Sequence, residues 1–295
     1  AYAISLGLVG SDRCIRDRFP VPDVRHGYLL TMEIFATTSA PRRLAGSCII
    51  TGVFESGKPG PGIDDIDAAS GGYIHKLIRQ GDITGCAGST RLLTDVPGVR
   101  AKRVLIVGLG KQAVFDIAAF RRAVSAAAAL IRGTRIGDIT SYLGLQNIEG
   151  ANAYYLARYT VETIGTSLYS YNETKSGRRP RAAALKKVGF GTGSRADSAK
   201  AVRGGEHAAA IVEGMSLARD LGNLPPNICT PAYLARMANK LDHRFKMIGT
   251  RVLGEAEIKR LGMHSFLSVT AGTPLPAKLI LMPVSYTHLT LPTKA

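Results

Sequence analysis

Two uninterrupted apolar segments constrain the fold of this chain most strongly. Residues 47–54 read SCIITGVF and residues 103–107 read RVLIV, without the polar alternation of a half-exposed strand. Such runs are typical of strands that are covered on both faces. Between and after them the apolar spacing becomes helical, and this alternation of strands with helices predicts a layered α/β fold.

Helix-start and helix-stop signals place the main helices. Asp116 is a suitable N-cap for a helix that Gly133 ends, and Thr230 with Pro231 forms an N-cap and first-turn pair. Further helices are predicted from apolar periodicity at residues 66–78, 153–168 and 201–221.

The character of the chain changes after residue 222. Residues 224–227 read LPPN and predict a rigid extended link, because each proline fixes its own φ and disfavours helix in the residue before it. A strand at 250–253, a short helix at 255–261 and a strand ending at Met282 then begin another α/β unit. We expect the boundary between the two units near residues 204–222.

Composition narrows the class of protein. The 295 residues allow one large domain or two ordinary ones. The 38 Lys and Arg against 22 Asp and Glu leave a net charge of +16, which makes contact with phosphate or acidic surfaces electrostatically easy without identifying a site. No apolar run approaches the roughly 18 to 20 residues that span a bilayer, so no membrane partner is expected.

The cysteines favour a reducing, cytoplasmic setting. They stand far apart with no C-x-x-C pair, which indicates neither a disulfide framework nor a zinc knuckle. The six histidines lack H-E-x-x-H or H-x-H spacing, and no G-x-S-x-G or Walker A segment occurs. The residues alone therefore predict no catalytic residue and no metal ligand.

A glycine-rich segment follows the second apolar run. Residues 108–113 read GLGKQA, which matches G-x-G-x-x-A behind a strand and makes Gly108, Gly110 and Lys111 a candidate nucleotide loop. No acidic residue closes a following strand about 20 residues on, as a ribose contact would require. A simple tight strand-to-helix turn is the alternative.

A strongly basic run occupies residues 175–187 (KSGRRPRAAALKK). Its cations could contact nucleic-acid phosphates, yet the run contains no aromatic residue for base stacking, so an exposed solvated loop is the alternative. The candidate DNA-contacting residues are Lys175, Arg178, Arg179, Arg181, Lys186 and Lys187.

Four segments resemble the leucyl aminopeptidase (cytosol aminopeptidase) family. Residues 220–234 (DLGNLPPNICTPAYL) resemble the opening of its catalytic domain, and residues 254–267 (GEAEIKRLGMHSFL) resemble the next element. Residues 71–74 (GGYI) and 104–111 (VLIVGLGK) resemble its amino-terminal domain. The similarity extends from about Met32 to Met282.

The resemblance implies a macro-domain-like, three-layer amino-terminal domain with linker at residues 32–203. The start of a truncated α/β catalytic domain would follow at residues 204–282. It also implies an enzyme that uses two divalent ions, Mn²⁺ or Zn²⁺, to polarise the scissile carbonyl and activate a bridging water. Peptide substrates and a homo-hexamer belong to the same expectation, and DNA binding occurs in some members.

The ligand segments of that family are missing from this sequence. The family draws its metal ligands from G-K-G-x-x-F-D-x-G-G and N-T-D-A-E-G-R, and neither string occurs here. No catalytic or metal residue can therefore be assigned. We expect an aminopeptidase for the full-length parent, and no metal binding and no activity for this chain.

Both ends have an unusual sequence. Residues 1–31 lack periodicity before Met32, and we expect them to be non-native upstream translation. Residues 283–295 contain VSYTHLTLPT, which resembles translated sequencing adapter, and we expect read-through there.

Three hypotheses for function follow, in this order. The first is an aminopeptidase fragment. The second is a nucleotide or ADP-ribose binding module, and the third is a DNA-binding protein that acts through its basic surface.

Overall fold

The computed structural model describes residues 32–174 and 184–285. Contacts divide the chain into two compact units at Asp220 and Leu221, within one long helix. The domain ranges 32–203 and 204–282 remain predictions, and so does the nature of the two ends.

The first unit alternates strands and helices along the chain. Its elements are β1 (Glu33–Thr37), β2 (Ile49–Phe54), α1 (Ile63–Ala69), α2 (Tyr73–Arg79), β3 (Thr90–Thr94), β4 (Arg103–Gly110), α3 (Ile117–Arg132), β5 (Asp138–Ser141), α4 (Ala153–Leu168), β6 (Lys187–Gly191) and most of α5 (Arg195–Asn223).

The six strands form one sheet in the order β1-β6-β5-β2-β4-β3. All neighbours are parallel except β3, which runs antiparallel to β4 at the edge. Strand β2 lies between β4 and β5, so the two longest apolar runs of the sequence are adjacent at the centre of the sheet. Parallel pairing of this kind requires crossover connections, which the helices provide.

Side chains of the central strands alternate between two cores. Ile49 and Val53 of β2 pack with α1 and α2, whereas Ile50 and Phe54 pack with α3 and α4. Ala208 of α5 joins the second core. Because both faces are covered, the strands are continuously apolar. The predicted α/β fold with helices on both faces of a sheet is confirmed.

The single helix predicted over residues 66–78 is wrong. Two short helices, α1 and α2, are separated by Gly71 and Gly72, whose φ angles are 67° and 82°. Positive φ interrupts a right-handed helix and is easily adopted by glycine. The apolar spacing continued across this break, which is why periodicity alone suggested one helix.

Strands β3 and β5 carry little strand signal in the sequence. Edge strand β3 has only one buried residue, Leu93, and β5 is four residues long. Neither provides the long apolar run by which β2 and β4 were identified.

The predicted N-caps Asp116 and Thr230 are confirmed. The Asp116 carboxylate accepts a hydrogen bond from the Ala119 N–H at 2.7 Å at the start of α3. The Thr230 hydroxyl accepts one from the Tyr233 N–H at 3.2 Å. Both are N-cap bonds that satisfy an otherwise unpaired backbone donor.

The second unit is small. It contains α6 (Pro231–Arg244), β7 (Arg251–Gly254), α7 (Glu255–Arg260), α8 (His264–Thr270) and β8 (Lys278–Leu281). Strands β7 and β8 form an antiparallel pair. One buried apolar cluster of this unit consists of Leu253, Ile258 and Ala277, and α6 buries Tyr233, Ala235, Met237 and Ala238.

The link before α6 is a tight turn, so the extended link predicted for residues 224–227 is wrong. The Pro225 carbonyl accepts hydrogen bonds from the N–H groups of Ile228 and Cys229, each at 2.9 Å. The φ that proline imposes also suits the first central position of a turn, and here the turn prevails.

Within residues 32–174 and 184–285, no helix is both long and apolar enough to traverse a bilayer.

Candidate functional site

The carboxyl ends of β2 and β4 share one edge of the sheet, where α/β proteins commonly bind ligands. An open depression of about 570 Å³ lies there. Exposed side chains of mixed chemistry line it, namely Glu55, Ser56, Lys111, Gln112 and Ala113. Lys111 of the candidate nucleotide loop is therefore at this edge.

The two glycines of the candidate nucleotide loop, Gly108 and Gly110, pack against the loop at residues 85–89. The Gly108 N–H donates to the Ser89 carbonyl at 2.8 Å, and the Gly110 N–H donates to the Gly85 carbonyl at 2.9 Å. A Cβ on Gly108 would lie 1.9 Å from the Cys86 carbonyl oxygen. Because both N–H groups are occupied by the 85–89 loop, they are unavailable to a phosphate.

Nucleotide binding at this edge stays a prediction. Its donors would have to come from the side chains of Lys111, Ser56 and Gln112. The Glu55 carboxylate opposes an anionic ligand at the same place, because like charges repel.

Only the end of the basic run belongs to the part of the chain that the structure describes. The candidates Lys175, Arg178, Arg179 and Arg181 lie outside the described residues. Lys186 is exposed, whereas the Lys187 ammonium lies 2.5 Å from the Glu33 carboxylate of the neighbouring strand. Lys187 is thus engaged in an ion pair, and DNA contact through this run stays a prediction.

The carboxyl end of α5 carries a buried charged residue that sequence reasoning did not single out. Asp220 is 6 % exposed, and its carboxylate accepts a hydrogen bond from the Tyr169 hydroxyl at 2.6 Å. The Arg219 guanidinium lies 3.9 Å from the centre of the Tyr169 ring. These contacts tie α5 to the end of α4. The sequence separation of 51 residues left no local signal.

A second carboxylate pairs with a histidine between α1 and α2. The Asp67 carboxylate accepts from the His75 backbone N–H at 2.9 Å, and its other oxygen lies 2.5 Å from His75 Nδ1. Asp67 therefore caps the beginning of α2 from the preceding helix. We infer a structural role for this pair.

In the described parts of the chain, no three or more His, Cys, Asp or Glu residues are grouped so that they could hold a metal ion.

Two family models match this chain. The amino-terminal domain model of the cytosol aminopeptidase family matches residues 50–178, and the catalytic domain model of the same family matches residues 216–292. The chain belongs to the cytosol aminopeptidase family. The predicted family membership is confirmed.

A curated member of the cytosol aminopeptidase family shows how much of such a protein is present. A probable cytosol aminopeptidase from Tolumonas auensis is 34% identical over 251 residues. The match covers 85% of this chain and 50% of that protein. The chain thus spans about half the length of this curated relative.

Solved structures in this comparison share the fold. A mutant of tomato leucine aminopeptidase has a TM-score of 0.72 at 21% identity, covering 88% of this chain and 52% of that one. The bottromycin maturation enzyme BotP has a TM-score of 0.61 at 24% identity, covering 80% and 45%. Its complex with Mn also has a TM-score of 0.61 at 24% identity. At such identities the likeness shows the fold alone.

Proposed function

We propose that the full-length parent of this chain is a metal-dependent aminopeptidase that releases amino-terminal residues, leucine among them, from peptides. The observation that carries the proposal is the catalytic-domain match at residues 216–292. The relative described as a probable cytosol aminopeptidase supports it. Two divalent ions, Mn²⁺ or Zn²⁺, a cytoplasmic location and a homo-hexamer are part of the same proposal.

The residues of this chain do not fit the metal pair. No suitable cluster of three ligands occurs in the described ranges, and neither ligand segment of the family occurs in the sequence. No reaction step is therefore assigned to a residue of this chain. We propose that the chain by itself does not hydrolyse peptides.

A paired assay tests both parts. The gene's complete reading frame and the 295-residue chain are each assayed for release of leucine from a leucyl peptide, after chelation and after return of Mn²⁺ or Zn²⁺. We expect metal-dependent release by the complete protein and none by the chain. No release by the complete protein would overturn the first part, and release by the chain would overturn the second.

DNA sequencing tests the expectation for residues 283–295. The source DNA is amplified across the codon for Met282. A reading frame that continues into G-K-G-x-x-F-D-x-G-G supports read-through and the aminopeptidase. A native gene that encodes residues 284–295 and then stops contradicts both.

A second candidate function is nucleotide binding at the depression beside Lys111. Its position at the carboxyl ends of β2 and β4 favours this candidate. Calorimetry with ADP-ribose tests it, with Lys111→Ala as the variant and exposed Lys76→Ala on α2 as the control. We expect heat that only Lys111→Ala abolishes. An absence of heat for the unaltered chain removes the candidate.

A further inference from the structure

Strand β8 of the second unit is apolar and is paired on one side. Residues 279–282 read LILM, and they comprise the last three residues of β8 and the residue that follows it. Among the strands that the structure describes, β7 is the only one that pairs with β8. The other side of β8 therefore has no strand beside it in this part of the chain. We call residues 279–282 the β8 edge.

The composition of the β8 edge disagrees with its exposure. An uninterrupted apolar run is typical of a strand that is covered on both faces, as β2 and β4 are in the first unit. In contrast, Leu281 is 41% exposed and Met282 is 38% exposed, and Leu279 and Ile280 are only partly buried. The β8 edge thus has the sequence of an inner strand without the cover of one.

Strand β7 has the character of a true edge. Its first residue, Arg251, has a largely exposed side chain whose guanidinium lies 3.6 Å from the Glu257 carboxylate. Charged side chains on an outer strand discourage the addition of a further strand. Because β7 carries this protection and residues 279–282 carry no charge, a further strand is expected beside β8 rather than beside β7.

The exposed residue Leu281 continues an apolar face that is already partly formed. Leu253 of β7 lies opposite Leu279 of β8, and both pack in the cluster that contains Ile258. Leu281 is two residues beyond Leu279 and therefore shares its face of the sheet. A segment that covered Leu281 would extend this cluster instead of starting a new one.

The length of the relatives indicates what covers the β8 edge. The match to the curated relative includes only 50% of that protein, and the catalytic-domain match begins at residue 216. A two-stranded sheet is marginally stable by itself. The remaining half of the same domain can supply both the missing strand and the missing apolar cover.

We propose that the β8 edge binds the remaining half of the catalytic domain even when that half is a separate polypeptide. The inference rests on the proposed function, because it takes the parent to be a full-length aminopeptidase. Strand addition gains affinity from main-chain hydrogen bonds and specificity from side-chain pockets, and neither requires a covalent connection. Burial of Leu281 and Met282 offsets part of the entropy lost on association.

Co-expression tests the proposal. The chain, tagged at its amino terminus, is produced together with the untagged polypeptide that the complete reading frame encodes after the codon for Met282. We expect the tag to recover both polypeptides in equal amounts. Hydrogen exchange of the amides at residues 278–281 should slow about ten-fold or more in the complex relative to the chain alone, because these amides become paired.

Leu281→Glu tests the β8 edge itself. It should reduce recovery of the second polypeptide about ten-fold or more, since a buried carboxylate without a partner is costly. Leu145→Glu is the matched control, because Leu145 is 39% exposed in the first unit, and it should leave recovery unchanged. Circular dichroism of both variants establishes that they are folded.

Several results would overturn the proposal. These are no recovery of the second polypeptide, its degradation despite the presence of the chain, or equal recovery with Leu281→Glu and with the unaltered chain. A dimer of the chain that Leu281→Glu disrupts, without capture of the second polypeptide, would assign the β8 edge to a second copy instead.

An assay of the complete protein separates this inference from the proposed function. If the complete protein releases leucine and the chain captures nothing, the inference fails and the proposed function stands. If capture depends on Leu281 and the complete protein releases no leucine, the β8 edge is a binding surface and the proposed function fails.

Discussion

Burial decides what the cysteines of the first unit can do chemically. Cys48 immediately precedes β2 and is 2 % exposed. Burial raises the pKa of its thiol to about 12. Cys86 is exposed in the loop that packs against Gly108. Since the thiolate is the reactive form, the two thiols should differ strongly in reactivity.

We predict that iodoacetamide modifies Cys86 of the folded chain well before Cys48. The physical reason is that Cys48 is both inaccessible and protonated at neutral pH. Peptide mass spectrometry after timed alkylation measures the two rates. The chain unfolded in urea is the control, in which the rates should converge. Equal rates in the folded chain would show that Cys48 is not buried as described.

Glycine 108 provides a second prediction at the scale of one residue. Gly108→Ala should lower the free energy of unfolding by about 1–3 kcal/mol, because the added methyl group collides with the Cys86 carbonyl. Urea unfolding followed by circular dichroism measures the change.

Gly193→Ala is the control for Gly108→Ala, since nothing lies within 4 Å of a Cβ at that position. Its effect should stay within about 0.5 kcal/mol. If the two variants were equally stable, close packing against the 85–89 loop would not explain the glycine in the candidate nucleotide loop.

At the scale of elements, one carboxylate joins α1 to α2. Burial works to raise the pKa of Asp67, but the hydrogen bonds from His75 outweigh it and hold the pKa below the ordinary 3.8. A lowered carboxyl pKa stabilises the folded state above the unfolded pKa. This contribution is therefore present at neutral pH and is lost as the pH falls below about 4 through the lowered pKa.

We predict that Asp67→Ala costs about 1 kcal/mol of unfolding free energy at pH 7, as the loss of a helix cap does. The difference from the unaltered chain should shrink at acid pH, where Asp67 is protonated in both states. Asp64→Ala in the same helix is the control, because Asp64 is exposed, and it should have a smaller effect. Urea titrations at both pH values measure the differences, and a pH-independent cost would contradict the assignment.

At the scale of the whole molecule, the two units differ in how much apolar surface they bury. The first unit has cores on both faces of its sheet. The second unit has a small buried cluster of Leu253, Ile258 and Ala277 and one partly buried helix, α6, and it leaves Val269 84% and Leu261 61% exposed. Regions with few buried apolar contacts open locally at low free-energy cost.

We therefore predict that the amides of β7 and β8 exchange hydrogen faster than those of β2 and β4 in the folded chain. Exchange measured by mass spectrometry on peptides covering each strand tests this. Edge strand β3 serves as an internal comparison of an exposed strand within the larger unit. Equal protection of all these strands would show that the chain unfolds as a single cooperative unit.

Sequence by itself determined the features that depend on neighbouring residues. The apolar runs of β2 and β4, the N-caps Asp116 and Thr230, and the family resemblance at residues 220–234 needed no coordinates. These signals are local, because capping and burial on both faces impose residue types within a few positions.

Tertiary structure decided what depends on residues distant in the chain. It showed that residues 66–78 form two helices and that the proline segment at residues 224–227 forms a turn. It also showed that Gly108 makes room for the Cys86 carbonyl and that the Tyr169 hydroxyl bonds to the Asp220 carboxylate. Each of these outcomes rests on a backbone conformation or a contact that periodicity does not encode, because many partners are compatible with the same local pattern.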